Sequence, residues 1–407
     1  MRVSLLKTWF LAGASTLMAL SLLLFPKEAL EASLNGMAMW WDVVFPALLP
    51  FFILSELLIG FGVVAFIGTI LEPFMRPIFR VPGAGGFVWA MGLASGNPAG
   101  AKLAARLRQQ QKVTRVEGER LAAFTNSSNP LFIFGAIAVG FFHNPALGLL
   151  LASAHYIGNI FVGIFMRFHG RKEEQEQDTS NDPRPKLSFV EAAKKMHQER
   201  LQDGRPIGQL LGDSVQSSVR TLLLVGGFII LFSVLNKMLT LVGFTAIAAT
   251  GVSFVFSIFQ LSTTLSEAFI SGLFEITSGA KLSSVSDALL LEKAIITSFF
   301  IAFGGLSIQA QVASILSETD LRFKPFFIGR ILHGFFSAFL TWLLWIPLYQ
   351  NNGVLQTLTY SAHSTSEPNL HWMVTLWNQW LAISPFLTLA TLCLVILLQT
   401  RAHLQRI

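Results

Sequence analysis

Long apolar blocks alternate with short polar ones along this chain, and several blocks are interrupted at mid-length by residues that a plain helix avoids. A helix needs about 20 mostly apolar residues to cross a bilayer. Uninterrupted blocks predict spans over residues 7–25, 45–62, 145–168, 220–238, 326–348 and 377–398, with a further apolar stretch at 243–260. Two blocks, 119–142 and 288–316, are long enough to span but are broken at 125–130 and 303–309. Residues 27–36 read as a short polar segment, and Trp40 and Trp41 mark a membrane interface. Residues 71–80, amphipathic and rich in proline, predict a broken helix lying along the surface. An amphipathic helix is predicted near 189–200, inside a charged segment at 171–213.

Two further stretches predict hairpins. Gly92-Leu93-Ala94-Ser95-Gly96-Asn97-Pro98-Ala99-Gly100-Ala101-Lys102-Leu103 lies in apolar surroundings, yet Pro98 lacks a backbone donor and the glycines weaken a helix. Broken backbone survives in hydrocarbon only when buried in protein or lining a wet cavity. The pattern returns as Gly272-Leu273-Phe274-Glu275-Ile276-Thr277-Ser278-Gly279-Ala280-Lys281-Leu282. Both copies open with Gly-Leu and close with Gly-Ala-Lys-Leu. The first Gly-Ala-Lys-Leu lies as far before Phe124 as the second lies before Phe303, which lays the break at 125–130 on that at 304–309.

The chain therefore reads as an all-α polytopic membrane protein built from two repeats with re-entrant helical hairpins. An N-terminal helix and surface segment fill 1–37. The first repeat covers 38–168 with its hairpin at 83–107, and a charged cytoplasmic linker covers 169–213. The second repeat covers 214–349 with its hairpin at 263–284. An external loop and a last helix fill 350–407. Placing the basic loops on one side puts both termini in the cytoplasm and gives the repeats opposite topology. Inverted repeats of this kind set a ligand site between them near the bilayer midplane.

Composition narrows the function. The chain is 53% hydrophobic and 13% charged, which excludes an ordinary soluble domain. The net charge of +6 sits in loops and orients the protein in its bilayer, so no nucleic-acid partner is expected. The single cysteine, Cys393, allows no intrachain disulfide and no cysteine metal site. No zinc HExxH or GxSxG elbow occurs, so no catalytic residues, metal or cofactor are expected. Gly60-Phe61-Gly62-Val63-Val64-Ala65 imitates a dinucleotide fingerprint but follows no strand.

Candidate binding residues cluster at the tips and breaks: Ser95 and Asn97; Asn126, Ser127, Ser128 and Asn129; Thr277 and Ser278; Ser307 and Gln309, with Gln311 nearby. Half-helix N-termini there offer free N–H groups and positive dipole ends, which suit a carboxylate. The same side chains also serve to satisfy freed backbone groups, and Gly92, Gly96 and Gly100 also serve close packing of the hairpin arms. Among charged residues, Lys281 is the expected anion partner and Glu275 the candidate for coupling to a proton or cation, unless the two pair with each other. Lys102 either faces the ligand or snorkels to the surface, Arg220 reads as a membrane anchor, and Glu56 and Glu267 complete the set.

The runs FPALLPFFILSELLIGFG, GLASGNPAGAKLAARL and TNSSNPLFIFGAI resemble the YlbJ-type family of sporulation integral-membrane proteins, also called stage V sporulation protein V, along essentially the whole chain. That resemblance implies a Gate domain of the nucleoside-recognition type and kinship with concentrative nucleoside transporters. It also implies transport of dipicolinate, pyridine-2,6-dicarboxylate, across the outer forespore membrane from the mother-cell cytoplasm. Nucleoside carriers place acids at both hairpins, whereas here only the second tip has one, Glu275. The expected partners are a small anionic aromatic dicarboxylate and the lipid bilayer, with assembly into a homo-oligomer left open. A nucleoside or other small-molecule symporter, and a non-transporting membrane scaffold for spore assembly, remain as alternatives.

Overall fold

A computed structural model describes residues 2–171, 173, 188–350 and 383. Among the described residues every regular element is helical. Apart from Gln350 and Ile383, the expected outer loop at 350–371 and the last span at 377–398 lie outside the described residues, as does much of the charged linker. All the helices below belong to the unit Met1–Asn352.

The chain opens with α1 (Arg2–Leu24) and α2 (Pro26–Ala38). The span expected at 7–25 falls on α1. The polar segment expected at 27–36 is instead the packed helix α2, which continues through a π-helical turn, Met39–Val44, into α3 (Phe45–Gly60). Small residues explain this. Ala29, Ala32 and Gly36 are buried, and a side chain on Gly36 would meet the Ile230 backbone at 3.0 Å. The Ser233 hydroxyl donates to the Ala32 carbonyl (2.8 Å), and Trp40 Nε1 donates to the Leu222 carbonyl (2.9 Å). A chain with so few apolar residues thus docks on a neighbouring helix through backbone and small side chains.

At Gly62, whose φ of +76° favours glycine, the path bends by 82° into α4 (Val63–Phe79). The break expected over 71–80 is absent: α4 runs through Pro73 and Pro77. Its buried side chains, among them Val64, Met75 and Phe79, hold it in register against the core.

Two helical hairpins follow the expected pattern. α5 (Ala84–Ser95) and α6 (Ala99–Gln109) form the first; α12 (Ser266–Phe274) and α13 (Ile276–Val285) form the second. A Cβ on Gly92 would lie 3.5 Å from Gly100 Cα, and one on Gly279 would lie 3.1 Å from the Ala268 carbonyl oxygen. In a continuous helix such residues would be at least about 12 Å apart, so the chain reverses at both tips. A helix of twelve residues is about 18 Å long against a hydrocarbon core of about 30 Å, so no arm crosses alone.

α7 (Arg115–Thr125) begins with a capping box between Thr114 and Glu117, then breaks before a π-helical segment, Leu131–Phe141. α8 (Pro145–Met166) follows. α9 (Phe189–Asp203), capped by Ser188, is the amphipathic helix expected near 189–200. α10 (Ile207–Leu241) starts well before the span expected at 220, and α11 (Phe244–Ile258) leads to the second hairpin. α14 (Leu290–Phe303) and α15 (Gly305–Leu316) are parted at Gly304, and α16 (Phe323–Leu344) runs on into a π-helical turn, Trp345–Gln350. Among the described residues, four stretches are long and apolar enough to cross a membrane: Pro145–Met166, Ile207–Leu241, Leu290–Leu316 and Phe323–Gln350. The bent pair α3–α4 makes a fifth if it acts as one span.

Among the described residues the two largest of four apolar clusters join the hairpins to the broken helices. The first packs hairpin residues such as Phe87 and Leu103 with Phe124 and with Val312 and Ile315 of α15. The second packs Ile276 and Ala280 with Ile133 and Ile137 of the π-helical segment and Phe300 of α14. Each hairpin is thus seated partly on the broken helix of the other half. Ion pairs add cross-links: Arg108 binds Asp320 (2.8 and 2.7 Å), and Arg322 binds the buried Glu119 (2.7 and 2.9 Å).

Candidate functional site

Each hairpin tip is fixed against the helix break of its own half. In the first half, Gly92 and Gly100 leave no room for a Cβ because the Thr125 carbonyl oxygen lies against both arms. Gly96 turns the tip with φ +85° and ψ −169°, a region open only to glycine. Asn129 clips that tip: its Nδ2 donates to the Ser95 carbonyl (3.3 Å) and its Oδ1 accepts from Phe132 N (2.8 Å). Asn97 Nδ2 donates to the Ser128 hydroxyl (3.3 Å). In the second half, Gly304 and Gly305 have φ of +92° and +62°, and a Cβ on Gly305 would sit 3.2 Å from the Phe274 carbonyl.

Glu275 forms the second tip and caps α13. Its carboxylate accepts from Thr277 N (2.9 Å), Ser278 N (2.7 Å) and the Thr277 hydroxyl. The N–H groups expected to face an anion there are therefore already used. At the second break, Gln309 Nε2 donates to the Phe303 carbonyl (2.7 Å), satisfying the end of α14.

Both tips and both breaks face one cavity of about 560 Å³, within the range of about 300–1,000 Å³ typical of small-molecule sites. The first half contributes Ser95, Gly96, Asn97, Ser128 and Asn129. The second contributes Glu275, Thr277, Gly304, Ser307 and Gln311. Leu131, Phe132, Val225 and Ile229 supply apolar wall, and Asp42 joins the lining from the turn before α3. Ser95 Oγ and Asn97 Oδ1 are buried and lack a hydrogen-bond partner among the described residues. Buried polar atoms are rarely left so, and both lie in the cavity wall.

Five expected ligand residues are not in that wall. Asn126 and Ser127 are fully buried behind it, with Asn126 Oδ1 near Ala101 N at 3.5 Å. Ser278 donates its backbone N–H to Glu275, and Gln309 caps α14. Lys281 is exposed, and no ion pair joins it to Glu275 among the described residues. One turn beyond Thr277 carries it about 6 Å along the helix, where its long side chain reaches the surface. Lys102 neither lines the cavity nor reaches the surface. Its Nζ lies 3.5 Å from the Glu56 carboxylate and 4.8 Å from the centre of the Phe52 ring, and Ser217 donates to Glu56 at 3.0 Å. Arg220 and Glu267 are exposed.

A buried polar cluster behind the first break escaped the sequence reading. Arg330 and His333 of α16 are 1% and 0% exposed, and His155 of α8 is 1% exposed. Arg330 Nη1 donates to the Asn126 carbonyl, and Arg330 Nη2 donates to His333 Nδ1. His333 Nε2 donates to the His155 carbonyl (2.7 Å), while His155 Nε2 accepts from Ser128 N (3.0 Å). Each imidazole thus has one accepting nitrogen and is neutral. The signal was an arginine three residues before a histidine inside an apolar block, a placement that marks function by default.

A family model described as nucleoside recognition (Gate) matches residues 41–158, which hold the first hairpin and the first break. The sporulation integral membrane protein YlbJ of Bacillus subtilis (strain 168) is 54% identical over 398 residues, covering 96% of each chain. No solved structure matches.

Proposed function

Because the chain belongs to the family of the sporulation integral membrane protein YlbJ, we propose that it is a carrier moving a small aromatic dicarboxylate, dipicolinate, across the outer forespore membrane out of the mother-cell cytoplasm. The observation that carries this reading is the convergence of two tips and two breaks on one cavity, with Ser95 Oγ and Asn97 Oδ1 in its wall and without a partner among the described residues. Such breaks weaken a membrane helix and are retained where they line a cavity. The half-length hairpin arms act as re-entrant segments, and the two halves act as inverted repeats with both termini cytoplasmic. The exchange of broken helices between the two apolar cores supports that pairing. Apolar wall from Leu131, Phe132, Val225 and Ile229 receives the ring, and the amide and hydroxyl groups of Asn97, Ser128, Ser307 and Gln311 receive carboxylate oxygens. Alternating access moves the hairpins and broken helices against α2, α3 and α10. Glu275 and Asp42 repel a dianion, so the substrate enters with a compensating proton or cation, and Glu275 is the coupling group.

The test is uptake of labelled dipicolinate by liposomes holding the purified full chain. Saturable uptake that responds to an imposed proton or sodium gradient is the expected result. Absence of uptake above empty liposomes under every gradient contradicts the reading.

The acids in the lining also favour a second reading. With Glu275 and Asp42 present and no lining lysine or arginine among the described residues, the cavity suits a neutral polyhydroxylated ligand such as a nucleoside. That reading requires uridine or adenosine to be taken up or to compete, and dipicolinate to be ignored.

A further inference from the structure

We infer that Arg330 gives the cavity its preference for anionic over neutral ligands, acting as a positioning residue through the first helix break. The inference rests on the carrier reading above and goes beyond it by assigning the charge that selects the substrate class.

A guanidinium keeps its proton under all ordinary conditions. Burying one is costly unless it is paired and fully hydrogen-bonded. Arg330 is 1% exposed, and no carboxylate among the described residues lies within ion-pairing distance. Its two hydrogen-bonded nitrogens meet only neutral groups, the Asn126 carbonyl and the His333 imidazole, and its Nε has no partner among the described residues. The neutral states of His333 and His155 follow from their hydrogen-bond directions, so neither offsets the charge.

What opposes the charge is the C-terminal end of α7, which stops at Thr125 just before Asn126. A helix end carries about half a unit of negative charge. The end of α7 thus offsets only part of the guanidinium charge, and the remainder acts on the first break. Two and three residues after Asn126 come Ser128 and Asn129, which form the cavity wall. Among the described residues no basic side chain lines the cavity, and Glu275 and Asp42 do, so for an anion seated against Ser128 and Asn129 the buried Arg330 is the charge that offsets those two acids, without displacing its own hydrogen bonds. The Asn126 carbonyl ties the guanidinium to the break, and Ser128 N ties the break to His155. The charge and the wall are thus held in one rigid unit. A role confined to capping α7 would stabilise the fold without distinguishing ligand charge, and the test separates the two.

The test measures binding of pyridine-2,6-dicarboxylate and of its neutral isostere pyridine-2,6-dicarboxamide to the purified full chain. The wild type, Arg330→Lys, Arg330→Gln and Asn126→Asp are compared. Wild type is expected to favour the dianion, and Arg330→Lys to keep that preference. Arg330→Gln is expected to lose it by on the order of tenfold, as for one unit charge acting across a low-dielectric interior, with dicarboxamide affinity changed less than about twofold. Asn126→Asp, nearly isosteric, puts a negative charge on the residue whose backbone carbonyl binds the guanidinium, and is expected to lose the preference likewise. If Arg330→Gln does not fold, Asn126→Asp decides the matter. A preference retained in Arg330→Gln or Asn126→Asp, or affinities for both ligands lowered alike, overturns the role of Arg330 and leaves the carrier reading standing. A wild type that binds neither ligand, or prefers the dicarboxamide, overturns the dicarboxylate reading and the inference together.

Discussion

Replacing Glu275 tests whether the second tip is built as described. Its carboxylate accepts two backbone N–H groups and one hydroxyl at the start of α13, a helix of only 10 residues. So short a helix has little intrinsic stability and depends on its cap and its packing. Losing a side-chain cap costs about 0.5–2 kcal/mol. Losing a negative charge at a partly buried helix N-terminus adds about 0.3–2 kcal/mol. Glu275→Ala should therefore destabilise the protein by roughly 2–3 kcal/mol. Glu275→Gln keeps one acceptor oxygen and should cost about 1 kcal/mol. Glu275→Asp keeps both charge and cap and should stay within about 0.5 kcal/mol of wild type. Unfolding of the purified protein, titrated from mild detergent into dodecyl sulfate, reads these differences. Lys281→Ala is the control: the side chain is exposed, so its removal should cost under about 0.5 kcal/mol. If Glu275→Ala is as stable as wild type, the capped tip is wrong. If Lys281→Ala costs as much as Glu275→Ala, the two residues form the ion pair that the structure lacks.

Two other perturbations follow from the same geometry. Gly279→Val forces a branched side chain onto the Gly272 backbone, so it should part the hairpin arms, cost at least about 1–3 kcal/mol and abolish dipicolinate uptake; uptake at the wild-type rate would contradict that packing. Lys102→Met alone leaves the largely buried Glu56 with Ser217 as its remaining partner among the described residues and should cost about 3 kcal/mol, whereas Lys102→Met with Glu56→Gln should recover most of it; a double variant no more stable than the single one contradicts the pairing.

The hairpins and breaks were legible because glycine and proline stand out in an apolar block. Gly96-Asn97-Pro98 and Gly304-Gly305 announce chain reversals or interruptions through backbone chemistry alone. Which side chains face the ligand was less legible, since an irregular segment has no periodicity to assign inward and outward positions. Asn126 and Asn129 are three residues apart in one polar run, yet the first is turned away from the cavity and the second lines it. The same limit applies to Lys281, whose closeness to the tip in sequence says nothing of where its flexible stem leads. The packing of α2 was hidden for another reason. Its contact surface consists of alanine and glycine, which carry almost no hydropathy signal but allow close approach between helices. Arg330 was hidden by distance along the chain: it lies in α16, 204 residues from the Asn126 carbonyl that it binds, and far in sequence from either tip.

The central claim is that four chain interruptions build one ligand chamber. Cysteine protection tests it most directly. With the single native cysteine, Cys393, replaced by serine, one cysteine is placed in turn at Asn97, Asn129, Thr277 and Ser307, and its labelling by a small polar maleimide is timed with and without saturating dipicolinate. All four positions are predicted to label in the ligand-free protein and all four to be slowed together by dipicolinate, while a cysteine at the exposed Lys281 labels at an unchanged rate. Labelling at the four positions that dipicolinate leaves unchanged, or protection confined to one half of the chain, would contradict the account.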